Sequence, residues 1–239
     1  MMTSESRFSV NRAGYTISAA RQVASLWVWS EKTPDEMQTQ LETITGNKSA
    51  SPPVIGQEEI ASQAESAYNQ AYGNWHTQLK SLHQLTVQGV NMAKTRLRND
   101  PAGLAVVSGL HASGNTPEKI LADALAWESA WSQVLATWSP TTTNTLAAFK
   151  AIRKLCADDL QLAIKDANSA NLEENGKLEQ MCADLEDMNV AWYADATRVF
   201  AAGTPEGDMI RSTVPTTYTP ATTTTPPAPT PPATPAKTP

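Results

Sequence analysis

Three histidines (His76, His83, His111) and two cysteines (Cys156, Cys182) are the chain's whole supply of imidazole and thiol groups. His76 and His83 lie seven residues apart, hence on one face if their segment is helical. A di-iron carboxylate bundle needs Glu-x-x-His pairs on facing helices, and the positions three before these histidines are Gly73 and Lys80. Zinc would need further cysteine or carboxylate partners that this spacing does not supply. No metal ligand is assigned. Cys156 and Cys182 both fall on apolar stripes, where a thiol behaves as a small buried hydrophobe. Two cysteines are too few for a disulfide framework, and the sequence alone leaves open whether they pair.

Carboxylates cluster at Asp158–Asp159 and Glu186–Asp187. Neighbouring helical residues point about 100° apart, so these read as a solvated face. The alternative to be weighed is a ligand set near Asp158, Asp184 and Asp187. Asp195 is different because it continues an apolar stripe between Trp192 and Val199. A charge there needs a partner, with Arg96 or Arg198 as candidates, and a structural ion pair is expected. Lys94, Arg96 and Arg98 suit the end of a helix, where cations meet the dipole. There is no glycine-rich phosphate loop, dinucleotide fingerprint or Ser-His-Asp pattern. Neither a catalytic residue nor a cofactor-binding residue is assigned.

The elements that hold these groups are marked by proline. Outside the C-terminal tail, six prolines follow Thr, Ser or Asp: Pro34, Pro52, Pro101, Pro117, Pro140 and Pro205. A side-chain oxygen at the N-cap accepts from an early helical N–H, and proline next to it lacks only a donor that would be orphaned anyway. These dipeptides are expected to start helices. In Thr33-Pro-Asp-Glu36, Glu36 should complete a capping box.

Helical periodicity fills the intervals. Ile120, Ala124, Trp127, Trp131, Val134 and Trp138 step by three or four, as do Leu178, Met181, Leu185, Met188 and Trp192. Leu146, Phe149, Ile152, Cys156, Leu160 and Ala163 form another such face. A stripe from Ile60 to Leu97 implies a helix about 60 Å long. The seven tryptophans sit at helical spacing, which points to core packing rather than an aromatic cage. No stretch alternates with period two, so the fold class is all-α, an antiparallel helical bundle. Asp166–Lys177 holds several poor helix formers but no proline; it reads as a turn between two helices, the alternative being the polar middle of one very long helix.

Two segment pairs resemble each other: "LWVWSEKTPDEM" with "LATWSPTTTNTL", and "TRLRNDPAG" with "TRVFAAGTPEG". They raise the expectation of an internal duplication, with tandem units 14–103 and 117–207 inside a bundle spanning 14–212. Residues 1–13 are set apart as an N-terminal segment. Residues 213–239 carry nine of the sixteen prolines, many threonines and one charge, Lys237. With little to bury, this tail is expected to be disordered and extended.

The composition restricts function by class. A net charge of −6 provides no basic footprint for nucleic acid. No apolar run of eighteen residues offers a membrane span, and the N-terminus lacks the apolar core of a secretory signal, so the cytoplasm is the expected compartment. The reading is a non-enzymatic helical bundle that interacts with a protein partner or with itself. The alternatives are a small-molecule- or metal-binding bundle, and a surface-attached protein on a Thr/Pro stalk.

Overall fold

A computed structural model describes residues 2–214. Among them are eight α-helices and one π-helical turn: α1 (Ser4–Val23), α2 (Pro34–Thr45), α3 (Gln57–Arg96), α4 (Pro101–Ser108), α5 (Pro117–Val134), α6 (Leu146–Lys154), the π turn (Leu155–Asp159), α7 (Leu160–Val199) and α8 (Pro205–Ser212). Strand-like pairing among the described residues is confined to an isolated bridge between Asn47 and Val54. The all-α class stands. The expected disordered tail lies outside the described residues from 215 onward, whereas Thr213 is buried and donates its hydroxyl to the Ile210 carbonyl at 2.7 Å.

Four of the six proline signals start helices. Asp100, Thr116 and Thr204 accept from the N–H groups of Gly103, Lys119 and Gly207, with proline at the first position of each helix. Thr33 and Glu36 form the capping box: the Thr33 N–H donates to Glu36 Oε2 at 2.7 Å, and the Glu36 N–H donates to Thr33 Oγ1 at 3.3 Å. Pro52 and Pro140 break the expectation. Pro140 lies in the loop before α6, whose cap is Thr145. Pro52 lies in the loop before α3, which starts from Gly56 without a side-chain cap.

That second loop folds back on itself. Gly46 has φ +79°, and a Cβ on Gly56 would lie 2.1 Å from the Gly46 nitrogen, so the crossing requires glycine on both sides. Near the start of the described residues, one helix runs across the expected boundary at residue 13. Helix α1 begins at Ser4, capped by Thr3.

The described chain forms two compact units. The first comprises residues 42–181. In its core Trp127 and Trp131 stack at 5.1 Å between ring centroids, and Phe149 lies 5.8 Å from Trp131. All three are fully buried, as expected for tryptophans at helical spacing. Gly89 of α3 lets the Trp127 ring approach, because a Cβ there would stand 2.7 Å from its Nε1. Trp75 Nε1 donates to the Cys156 carbonyl within the π turn at 2.9 Å, and Trp131 Nε1 to the Trp138 carbonyl at 2.9 Å. The π turn adds a residue per turn and shifts the phase of the stripe. Consequently Ile164, not the expected Ala163, packs on this core, and Ala163 is exposed.

Helix α3 runs antiparallel to the first half of α7. Gln57 bonds Glu174 near one end of the pair, and Trp75 bonds Cys156 near the other. Asp166–Lys177, expected as a turn, is helical throughout. Helix propensity is a weak prior, and specific side-chain contacts, near and far in the sequence, override it here. Lys177 pairs with Glu173 at 2.7 Å and Glu174 at 2.8 Å, Asn175 donates back to the Asn171 carbonyl, and Gln57 holds the Glu174 side chain and carbonyl.

The second unit comprises residues 2–41 and 182–214. Its buried apolar residues include Ile17, Val23, Met37, Leu185, Trp192 and Ile210. The expected tandem units are not confirmed, because the contacts partition the chain differently: α3 packs against α5, and α8 against α1. What the similar segments share is punctuation. Helices α3 and α7 are each 40 residues long, and each leads into an eight-residue helix that opens with proline.

Candidate functional site

The groups expected to do chemistry are scattered. His76 and His111 are exposed and His83 is partly buried. No cluster of three His, Cys, Asp or Glu among the described residues could hold a metal ion. Asp158 and Asp159 lie 3.5 Å from Lys154, which the two carboxylates, Asp159 foremost, push above its ordinary pKa. Asp184 and Asp187 are exposed on α7. Lys94 donates to the Leu110 carbonyl at 3.1 Å. Both cysteines are buried thiols, and burial raises the pKa of Cys156.

Asp195 has the partner expected of it. Its carboxylate accepts from Arg198 at 2.9 Å and, in addition, from Trp29 Nε1 at 3.0 Å. It is half-exposed rather than buried. That second bond marks the most distinctive surface of the molecule.

The surface is built from the loop between α1 and α2. Helix α1 ends where the N–H groups of Leu26 and Trp27 both bond the Val23 carbonyl, at 2.8 and 2.9 Å. Residues 27–29 follow without regular structure. In an irregular extended run successive side chains point to opposite sides. Accordingly Trp27 and Trp29 turn inward, while Leu26 and Val28 are 64% and 68% exposed. Trp29 is fixed by Asp195, Lys32 bonds Gln40, and the Thr33–Glu36 box anchors the start of α2. Those bonds from Thr33, the backbone N–H first, hold the Glu36 carboxyl below its ordinary pKa.

The result is a small apolar crevice of about 30 Å³ between the indoles of Trp27, Trp29 and Trp192, floored by Ala20 and Val23, with the rings of Trp29 and Trp192 almost wholly buried. Trp27 lies 6.5 Å from Trp192 and 6.2 Å from Phe200, edge-on to the latter. Beside Phe200, Val199 is 52% exposed. A loop tied down on both flanks thus presents Leu26 and Val28 to water, Val28 at the crevice itself.

Behind it runs a buried polar seam. Ser6, Ser9, Arg12 and Thr16 form one buried stripe of α1. Arg12 Nη1 bonds Glu186 Oε1, its guanidinium lies 5.9 Å from the Tyr193 ring centre, and Asn189 Nδ2 donates to the Ser9 carbonyl at 3.1 Å. Glu186, expected on a solvated face, is therefore the partly exposed partner of a buried arginine. Sequence reasoning missed Arg12 altogether. The available signal was an arginine beside the small and apolar run Ala13, Ile17 and Ala20. It likewise missed the surface role of Leu26 and Val28, whose signal was four consecutive apolar residues beyond a helix end.

This seam orients α1 against α7, since buried ionic groups are best attested as devices of register. Neither constellation juxtaposes a nucleophile with a base. No protein-family model matches the chain, and neither a curated protein nor a solved structure matches it.

Proposed function

We propose that the protein is a non-enzymatic interaction module whose binding surface is the tryptophan cleft and its aliphatic rim. The observation carrying this reading is the exposure of Leu26 and Val28 on the loop that supplies Trp27 and Trp29, with Val28 itself lining the crevice. Loops are cheap to leave polar, and contiguous exposed apolar groups on a fastened loop are the mark of a contact surface. Aromatic side chains in a pocket bordered by aliphatic groups are also the composition of interface hot spots. Covering the exposed part of each leucine or valine would contribute about 1–2 kcal/mol to association.

The fastening serves the same end. Trp29–Asp195 and the capping box order the loop before any partner arrives, so little entropy is lost on binding. A net charge of −6 makes a polypeptide partner a better fit than nucleic acid.

The test is affinity capture with the full chain and with the triple variant Leu26→Ser, Val28→Ser, Val199→Ser. All three side chains are exposed, so the fold should be retained. Selective loss of captured proteins supports the reading, and identical capture by both chains refutes it.

A further inference from the structure

We propose that a groove on the first unit binds a small organic anion, a carboxylate or phosphate carried on a short apolar body. The groove lies between the last turns of α3 and the loop that follows α4, and its volume is about 230 Å³. At about 30 Å³ per water in the liquid, that is the share of about seven or eight waters, room for a ligand with a similar number of heavy atoms. Val87, Val90, Asn91 and Lys94 line it from one face of α3, stepping by three, one and three residues, while His111 and Ser113 line it from the loop. Lys94 and His111, distant in the sequence and without a role in the fold's cores, thus border the same space.

The loop wall is already fixed. Lys94 Nζ donates to the Leu110 carbonyl at 3.1 Å, the Ser113 N–H donates to the His111 carbonyl at 2.9 Å, and the Gly114 N–H donates to the Asp123 carboxylate at 2.9 Å. A ligand meets a formed surface, so little ordering entropy is lost on binding.

The lining sets the class of ligand. Asn91, Lys94, His111 and Ser113 all carry hydrogen-bond donors, and no carboxylate lines the groove although the chain carries a net charge of −6. Lys94 is bonded to a neutral carbonyl rather than to a carboxylate, so its charge stays available to an anion. Bonds from such a cation to an ionised oxygen are stronger than neutral ones. Val90 is almost wholly buried and Val87 half-buried, and together they offer apolar contact to the body of the ligand. A small acid with a few carbons satisfies both halves of this wall, whereas an inorganic ion satisfies only one. This groove is separate from the loop around Trp27 and Trp29, and the inference does not rest on that surface.

The test is a titration of the full, nitrogen-15-labelled chain with butyrate, benzoate and phenyl phosphate, with benzamide as the neutral comparator. The acids should shift the amides of 87–94 and 110–113 saturably, and benzamide should not. Lys94→Met should weaken binding about tenfold, as loss of a charged hydrogen bond does, and Lys94→Arg should retain it. Asn91→Asp leaves the Lys94–Leu110 bond in place and should weaken binding about fivefold or more by like-charge repulsion. Lys80→Met, which removes an exposed cation elsewhere on α3, should change nothing. No saturable shift with any of the acids up to about 10 mM overturns the inference, as does equal binding of benzamide or equal loss in Lys80→Met. Inorganic phosphate that shifts the same amides as strongly as the organic acids would mark an adventitious ion only, and also overturns it. The triple rim variant should bind the acids as the parent does, so this inference and the interaction reading fail separately.

Discussion

Replacing Gly89 by alanine sets helix propensity against packing. In an open helix interior the change should stabilise by about 1 kcal/mol, because alanine forms helix better than glycine. At Gly89 the new Cβ would stand 2.7 Å from Trp127 Nε1, 2.9 Å from Cε2 and 3.0 Å from Cζ2. An ordinary contact is about 3.5–4.0 Å, so the helix and the ring must separate by close to an ångström. The indole cannot swing aside, since Trp127 is fully buried and stacked on Trp131. Overpacking of this kind costs about 1–3 kcal/mol, and a rigid ring puts it near the upper end. The net result is a loss of about 1–2 kcal/mol.

Gly73, on the same helix, is open: a Cβ there would have nothing within 4 Å, so Gly73→Ala should instead gain about 0.5–1 kcal/mol. Urea unfolding followed by circular dichroism at about 222 nm measures both. The cycle with Trp127→Phe should show coupling of at least about 0.5 kcal/mol, because the smaller ring admits the methyl group. Equal stabilisation by Gly73→Ala and Gly89→Ala would refute the packing argument.

Arg12→Ala strands the Glu186 carboxylate and should cost about 2–4 kcal/mol, scaled down because Glu186 is partly exposed; the Arg12→Leu, Glu186→Leu pair should recover most of it in the same urea assay. Glu36 and Glu174 have pKa values lowered from 4.5, the first by bonds from Thr33 and the second by Lys177 and then Gln57. A depressed carboxylate stabilises above its unfolded pKa and is lost as pH falls through the folded one, so helicity should hold from about pH 7 to 5 and decline only below about 4.5. Loss of ellipticity between about pH 7 and 5 would contradict that assignment. Cys156 is fully buried with a raised pKa and Cys182 is almost fully buried, so both should react with a thiol reagent only as fast as the chain opens. Rapid labelling in native buffer would show that the two cores are looser than their burial implies.

The sequence was most legible where chemistry is local. Thr33, Asp100, Thr116 and Thr204 announce their helices because a cap needs only an oxygen and a neighbouring backbone, and the tryptophan stripe of α5 announces its burial through spacing alone. Ser51–Pro52 and Ser139–Pro140 carry the same local signal without a helix, since loop residues use the same chemistry. The unbroken middle of α7 was hidden because its support includes Gln57, more than a hundred residues away. The shift from Ala163 to Ile164 was hidden because nothing in the residue types of Leu155–Asp159 marks a π turn.

The cleft was half legible. Trp27 and Trp29 were conspicuous as a pair closing α1. That they face Trp192 and Phe200 while Leu26 and Val28 face water depends on tertiary pairing. Arg12 was invisible for the same reason: its partner Glu186 lies 174 positions later.

The most direct measurement is photo-crosslinking from the rim. A benzophenone amino acid in place of Val28, in the full chain, should yield adducts to a partner polypeptide that the chain captures. The same label at the exposed position Tyr72 of α3 should not. An adduct spectrum at Val28 no different from that at Tyr72, or no adduct at all, would contradict the loop around Trp27 and Trp29 as the contact surface.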